Sequence, residues 1–278
     1  MNFFRKRSLL HEGRQWAVLD RVRSPYGILM VIQREERSIQ RRRLLNDELI
    51  QNTYDPRLCK SLSTFTGALV GLARAYTARV KSALCLGVGA GMVPRQLAAD
   101  GAAVDAVEIN PHITRVAKEW FDFDPARMNL VHAEGRAFAE ESLAEYDLIV
   151  LDVFLGGAAP LHFFTREAAE IFHGRLRPEG VLVVNTFGEF DPRQREMSAS
   201  FHKTLRMVFG GASVGAHASG RGNVFHVAVR GRDLELLHSP DFSGEHPDIQ
   251  FELQMMWEGR REFDSAKGEV LSDAMLGG

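Results

Sequence analysis

Residues 84–109 read LCLGVGAGMVPRQLAADGAAVDAVEI, and this stretch decides the fold. A short apolar run, Ser82 to Leu86, ends in Gly87-Val88-Gly89-Ala90-Gly91. Glycines there let the backbone turn sharply and come close to a ligand. Pro94 then stands near the start of a helix, whose N-terminal N–H groups face polar ligand atoms. A second apolar run, Val104 to Ile109, carries Glu108, 21 residues beyond Gly87. An acidic residue at that strand end accepts hydrogen bonds from both hydroxyls of a ribose. The compact GxGxG loop followed by Glu fits an S-adenosyl nucleoside better than a nicotinamide dinucleotide.

Working outward, strand and helix signals alternate. Asn110-Pro111 opens a helix, with Asn as N-cap and Pro at the first helical position. Ile113, Val116, Ala117, Trp120 and Phe121 give that helix an apolar face. Asn129 to Ala133 reads as a third strand, followed by Glu134-Gly135. Tyr146 to Leu151 is a fourth, apolar enough to be buried on both faces, and Asp152 closes it. Thr165 caps a helix reaching about Leu176, Arg177-Pro178-Glu179-Gly180 breaks it, and Val181 to Phe187 is a fifth strand. A helix near Arg193 to Phe209 precedes a late hairpin, Ser213 to Ala218 and Val224 to Val229. This predicts an α/β, Rossmann-like fold of the S-adenosylmethionine-dependent transferase type.

Upstream, Trp16 to Arg23, Tyr26 to Gln33 and Arg37 to Leu45 are β-like runs separated by Ser24-Pro25 and ended by Asn46-Asp47. They predict a small N-terminal antiparallel β-sheet. Thr53 to Tyr76 reads as helical, with Leu58, Leu62, Phe65, Leu69 and Leu72 on a helical period. The domain division expected is an N-terminal β-hairpin domain over 1–55, a Rossmann-like nucleoside-binding domain over 56–231 and a C-terminal tail over 232–278. Met255, Met256 and Trp257 suggest that part of the tail docks as a helix.

Composition narrows the class. The 278 residues are 45% hydrophobic and 25% charged, ordinary for a globular protein. Net charge is −2, which gives no field to recruit nucleic acid. Residues 1–60 sum to +6 and the remainder to −8. Arg41-Arg42-Arg43 is the densest basic run, read as a solvated strand or as a contact surface for an acidic partner. Cys59 and Cys85 lack CxxC partners, and His112, His132, His162 and His173 lack metal-ligand spacing, so no metal is expected. No apolar run is long enough to cross a membrane, and a reduced, cytoplasmic setting is the default expectation.

Gly87, Glu108, Glu134 and Asp152 all fall at carboxyl ends of predicted strands, the edge where open α/β sheets bind ligands. A carboxylate at position 134 suits the adenine amino group. A charge at 152, ending a buried strand, needs partners or a cleft.

Over roughly Ser24 to Gly231 the sequence resembles the spermidine synthase family of polyamine aminopropyltransferases. The resemblance rests on Tyr26-Gly27, the segment LLNDELIQ (44–51), LGVGAG, VEIN, the AEG turn, YDLIVLDVF and Phe163-Phe164-Thr165. It implies decarboxylated S-adenosylmethionine, or S-adenosylmethionine itself, as co-substrate, a small-molecule amine as acceptor, and a homodimer. It implies Gln51, Gly87, Gly89, Gly91, Glu108, Glu134 and Gly135 as nucleoside-binding residues, Asp152 as catalytic base, and Tyr26 on the acceptor side. The sequence also departs from the family. Ala90 replaces the acidic residue of the glycine loop, and Leu155 replaces the second aspartate of the catalytic segment. The family's His before the first Rossmann strand is not evident in 61–73, nor its late aromatic residue around 217–220. Losing two carboxylates weakens attraction for a polyamine, and Ala90 removes a repulsion against the carboxylate of S-adenosylmethionine. Aminopropyl transfer, methyl transfer on the same scaffold, and a catalytically silent nucleoside-binding module therefore all stand as expectations.

Overall fold

The computed structural model describes residues 8–36, 39–154, 160–188, 192–218, 222–258 and 266–276. Two sheets organise them. The first is an antiparallel meander: β1 (Ser8–His11), β2 (Arg14–Ser24), β3 (Gly27–Glu36), β4 (Ile39–Asn46), β5 (Leu49–Asp55) and β6 (Lys60–Ser61), each paired with the next. Gly27 holds φ +116 after the β2–β3 turn, where a side chain would strike Asn46 and Asp47.

The antiparallel sheet thus continues past residue 55. The helical reading of Thr53 to Tyr76 is corrected over its first half. Thr53 and Tyr54 pair with Arg43 and Arg42 of β4, and the helix α1 starts only at Thr64 and runs to Tyr76. Leu58 mimicked a helical period but lies exposed in the turn between β5 and β6. The ladder hydrogen bonds and Pro56 outweigh the periodicity there.

The second sheet has seven strands in the order β12-β13-β11-β10-β7-β8-β9. These are β7 (Ser82–Leu86), β8 (Ala103–Val107), β9 (Asn129–Val131), β10 (Tyr146–Leu151), β11 (Leu176–Phe187), β12 (Val214–Ala218) and β13 (Asn223–Val229). Strands β7 to β11 are parallel, and β13 runs antiparallel between β11 and β12. This is the Rossmann-like α/β fold read from the sequence, with its switch point between β7 and β10.

Side chains alternate between two cores, as strand geometry requires. Cys85, Val150 and Val183 pack against α1, α2 (Met92–Ala99) and α7 (Pro247–Glu258). Leu86, Leu151 and Val184 pack against α5 (Arg166–Arg175) and α6 (Pro192–Phe209). The helices α3 (Pro111–Trp120) and α4 (Gly135–Glu141) complete the layers. Asn110 caps α3, accepting from the His112 N–H at 3.1 Å, and Thr165 caps α5, accepting from the Ala168 N–H at 3.3 Å.

The antiparallel sheet packs Leu29, Val31, Leu44 and Tyr54 onto Ala90, Met92, Ile113, Val116 and Phe121. It thereby roofs the glycine loop and the start of α3. The arginine run is used within the chain. Arg43 stacks on one side of Trp16, with Arg34 on the ring as well, and pairs with Glu12 at 2.6 Å. Arg42 donates to the Trp120 carbonyl, tying β4 to the end of α3. Arg41 meets Glu36 and Asp248. The tail docks through α7. His246 meets Asp55 at 3.3 Å, both buried, and Lys60 Nζ donates to the Glu245 carbonyl. Trp257 stacks on His217. No helix among the described residues is long and apolar enough to cross a membrane.

Candidate active site

A cavity of about 800 Å³ opens at the carboxyl edge of the parallel strands. The Rossmann sheet forms its floor. Tyr26, Asn46 and the β5 residues Leu49 to Asn52 roof it, and residues 63–66 at the start of α1 and Glu252 of α7 close one side. Gln51, Gly87, Gly89, Glu108, Glu134, Gly135, Asp152 and Tyr26 all line this one space. Gly91 does not. It sits behind the loop at φ +77, where a side chain would run into the Phe123 ring.

Backbone bonds beyond the strand ends hold the floor in register. Gly87 N–H donates to the Val107 carbonyl at 2.9 Å, Glu108 N–H to Val131 at 3.0 Å, and Asp152 N–H to Leu86 at 2.9 Å. Gly87 has φ +91, and a Cβ there would lie 2.2 Å from the Asp152 carbonyl oxygen. Only glycine allows the 87–91 loop and the end of β10 to come this close. Gly89, by contrast, faces open space.

Glu108 serves the loop from inside. Its carboxylate accepts from the Val88 N–H at 3.0 Å and the Asn110 N–H at 2.9 Å, joining the glycine loop to the start of α3. Burial pushes its pKa up, opposed by these N–H groups and that of Gly89. Glu134 caps α4, accepting from Ala137 N–H at 2.7 Å, and meets His162 Nε2 at 3.1 Å. Burial would raise its pKa, but the Ala137 N–H, His162 and the Arg136 N–H hold it below the ordinary value. A carboxylate accepts about four hydrogen bonds, so both roles leave capacity for a ligand.

Asp152 sits above Cys85 and Val150 on one face of the sheet. Burial pushes its pKa up to about 6, Asn185 opposes this, and the charge of Glu108 adds to it. Asn185 Nδ2 donates to Asp152 Oδ1 at 2.9 Å. Burial also pushes the Cys85 thiol up, with Asp152 adding, so it is a poor nucleophile. Phe154 and Phe187 form an aromatic pair on the cavity wall, with ring centres 4.6 Å apart.

Several lining residues carried no clear signal in the sequence. Asn185 and Asn223 lie among the buried Val, Leu and Phe residues of β11 and β13. Glu12 and Glu48 lie in hairpin turns, and Glu252 lies in the tail. His162, which the sequence marks only by its lack of metal-ligand spacing, lines the cavity beside Glu134. Ala90 is buried against Met92 and the roof. Leu155 lies outside the described residues, as do residues 219 and 220 of the late segment. His217 is buried away from the cavity, bonded to the Tyr76 hydroxyl at 2.9 Å. Among the described residues no cluster of His, Cys, Asp and Glu forms a metal site.

No family model matches the chain. Over 133 residues, 46% of the chain, it is 35% identical to the polyamine aminopropyltransferase of Vibrio vulnificus, covering 43% of that protein. Over 133 residues, again 46% of the chain, it is 32% identical to the N-terminal histidine N-methyltransferase of Emericella nidulans, covering 23% of that protein. The chain thus spans less than half the length of these two curated relatives. Its fold is similar to that of a probable spermidine synthase from Corynebacterium glutamicum, with a TM-score of 0.69, 88% of each chain covered and 19% identity. The recurrence of polyamine aminopropyltransferases among its relatives supports a spermidine synthase-like family member, and the roofed Rossmann architecture is the fold it shares with solved spermidine synthases.

Proposed function

We propose that the protein transfers the aminopropyl group of decarboxylated S-adenosylmethionine to a small amine. One observation carries this reading. The cavity is lined by Glu12, Glu48, Glu108, Glu134, Asp152 and Glu252 and, among the described residues, by no Lys or Arg. Such one-signed walls concentrate cations. The donor brings a sulfonium and an ammonium, and the acceptor brings at least one ammonium. The carboxylate of intact S-adenosylmethionine would meet like charges and no cationic partner. Glu48 supplies, from the β4–β5 turn, negative charge that Ala90 and Leu155 do not, while Glu12 is balanced by Arg43.

The nucleoside fits the floor. Glu108 holds the ribose hydroxyls, and Glu134 accepts from the adenine amino group. Gln51 lines the cavity, and its buried Nε2 has no hydrogen-bond partner. A buried unmade donor costs about 1–3 kcal/mol, which a nucleoside acceptor atom relieves. Tyr26 and the Phe154–Phe187 pair border the acceptor.

In the reaction the acceptor nitrogen attacks the carbon beside the sulfonium. The new C–N bond forms as the C–S bond breaks, and sulfur keeps the electron pair as the neutral thioether of methylthioadenosine. Alignment supplies most of the acceleration, since the leaving group is already activated. Asp152 takes the proton that the nitrogen sheds. A carboxylate poised near neutral pH suits this task better than one at its ordinary value. The same reading carries a homodimer, which sedimentation equilibrium checks.

Methyl transfer is the second reading. The similarity to the histidine N-methyltransferase supports it, as does Ala90, which offers a donor carboxylate no repulsion. Calorimetry with S-adenosylmethionine, its decarboxylated form and methylthioadenosine separates the two. Preference for the decarboxylated form, with an aminopropylated amine detected by mass spectrometry, is the expected result. Preference for the intact donor replaces this reading with methyl transfer, and no binding of any of the three removes both.

A further inference from the structure

Two amides stand behind Asp152. Asn185 Nδ2 donates to Asp152 Oδ1 at 2.9 Å, and Asn223 Nδ2 donates to Asn185 Oδ1 at 3.0 Å. Asn185 is 2% exposed and Asn223 8%. Strand register puts them together. Leu151 of β10 pairs with Val184 of β11, so Asp152 and Asn185 occupy the next rung. Phe187 of β11 pairs with Asn223 of β13, which sets Asn223 diagonally across from Asn185 on the same face. The rungs below on that face are Val183 and Val181, opposite Val227 and Val229. Two buried amides replace that apolar pattern only at the cavity end, where Asp152 is.

The order of the bonds matters. A side-chain amide has a donor end and an acceptor end, and its partners decide which way it faces. Asn223 offers an N–H to the oxygen of Asn185, so the Asn185 NH2 must face Asp152. Accepting that bond also polarises the Asn185 amide and strengthens its N–H as a donor. A donor on a buried carboxylate favours the charged form against desolvation.

We propose that Asn185 and Asn223 are a positioning pair for Asp152: they fix one carboxylate oxygen and keep the group ionised, leaving the other oxygen to receive the acceptor's proton. This rests on the reading of Asp152 as the base. Neither amide touches substrate atoms in this role, and Asn223 acts only through Asn185. A pair that merely satisfied each other as core filling would leave the titration of Asp152 unchanged.

The test compares wild type, Asn185→Leu and Asn223→Leu by two readouts. The first is the pH dependence of aminopropyl transfer. Asn185→Leu is expected to move the acidic limb up by about one pH unit, a loss of roughly tenfold below the limb that recovers by about pH 9. Asn223→Leu moves it in the same direction by less, about threefold in rate. The second readout, which needs no activity, is the carboxyl carbon-13 NMR titration of Asp152, identified by its disappearance in Asp152→Asn. It is expected to move upward in the same order. An unmoved carboxyl titration in both variants, or a rate loss equal at every pH, overturns the proposal. If the wild type binds nucleosides but transfers no aminopropyl group, the functional reading fails, and the carboxyl titration still decides the positioning role. If Asn185→Leu does not fold, Asn223→Leu decides it alone.

Discussion

Strand β11 carries a buried polar network on each face, and the two are built from opposite chemistry. On the cavity face, Asn185 joins Asp152 to Asn223. On the other face, Thr186 meets Ser198 at 2.8 Å and His226 at 3.2 Å, and His226 meets His202 at 3.3 Å, all sealed under α6. Burial drives both networks toward neutrality. It pushes Asp152 up to about 6, pulls His202 down to about 4 and pulls His226 well below the ordinary histidine value. The cavity network can exchange its proton with a ligand. The sealed network can take one up only when the protein opens. The same desolvation therefore serves chemistry on one face and makes stability depend on pH on the other.

The strongest way to break this contrast is Asp152→Asn. Turnover is expected to fall about 10²- to 10⁴-fold. Thermal stability should move the other way. The raised pKa means that the ionised carboxylate destabilises the native state above about pH 6. The variant should therefore melt higher at pH 8, with the gain fading toward pH 4. Scanning calorimetry at the two pH values, beside a turnover assay, checks both halves. Equal melting shifts at both would remove the buried-charge account.

The sealed face has the opposite sign. A depressed histidine pKa contributes stability above the unfolded value, near 6.5, and that stability is lost as pH falls toward about 4. For His202 the loss is on the order of 3 kcal/mol. Denaturation midpoints measured from pH 7 to pH 4 should fall for the wild type and fall less steeply for His202→Gln. Identical slopes would show that His202 does not drive the acid sensitivity.

Glu108→Gln probes the opposite end of the cavity, where the glycine loop meets α3. Losing one charge-assisted contact costs about 1.5–3 kcal/mol, so methylthioadenosine should bind roughly tenfold to a hundredfold more weakly by calorimetry. The smallest effect belongs to Glu134→Gln. Glu134 is half-buried and Gln still accepts a capping bond, so stability should fall by about 0.5 kcal/mol. A loss of several kcal/mol in chemical denaturation would mean that the Glu134–His162 contact is far stronger than its solvated setting allows.

The floor of the site was legible because glycines and carboxylates at strand ends are out of place in apolar runs. Gly87, Glu108, Glu134 and Asp152 could be brought to one edge by counting strands. The roof was only partly legible. Leu58 and Leu62 fall by coincidence on the helical period of Phe65, Leu69 and Leu72 in α1, which hid β6 and the end of β5. Asn223 was missed because an asparagine at a strand end reads as part of a turn, and Asn185 because one polar residue inside an apolar strand carries no pattern of its own. The function of each depends on the neighbouring strand's register, which no local pattern reports. Glu12, Glu48 and Glu252 were missed for a similar reason: a glutamate in a turn or tail is ordinarily a solvated charge. Three distant stretches of chain had to converge before they became a wall.

The glycine loop has a consequence for how this protein can change. Position 87 is walled by the Asp152 carbonyl and position 91 by the Phe123 ring, so a new side chain at either displaces the end of β10 or the core. Position 89 opens onto the cavity, though its φ of +53 favours residues that tolerate that conformation. Position 90 already carries a side chain, packed beneath the roof. Mutational paths through the loop are therefore narrow: diversification of donor preference is channelled to 89 and 90, and the departure at Ala90 falls where the geometry leaves a door. A library meant to alter the donor should vary those two positions and leave 87 and 91 alone.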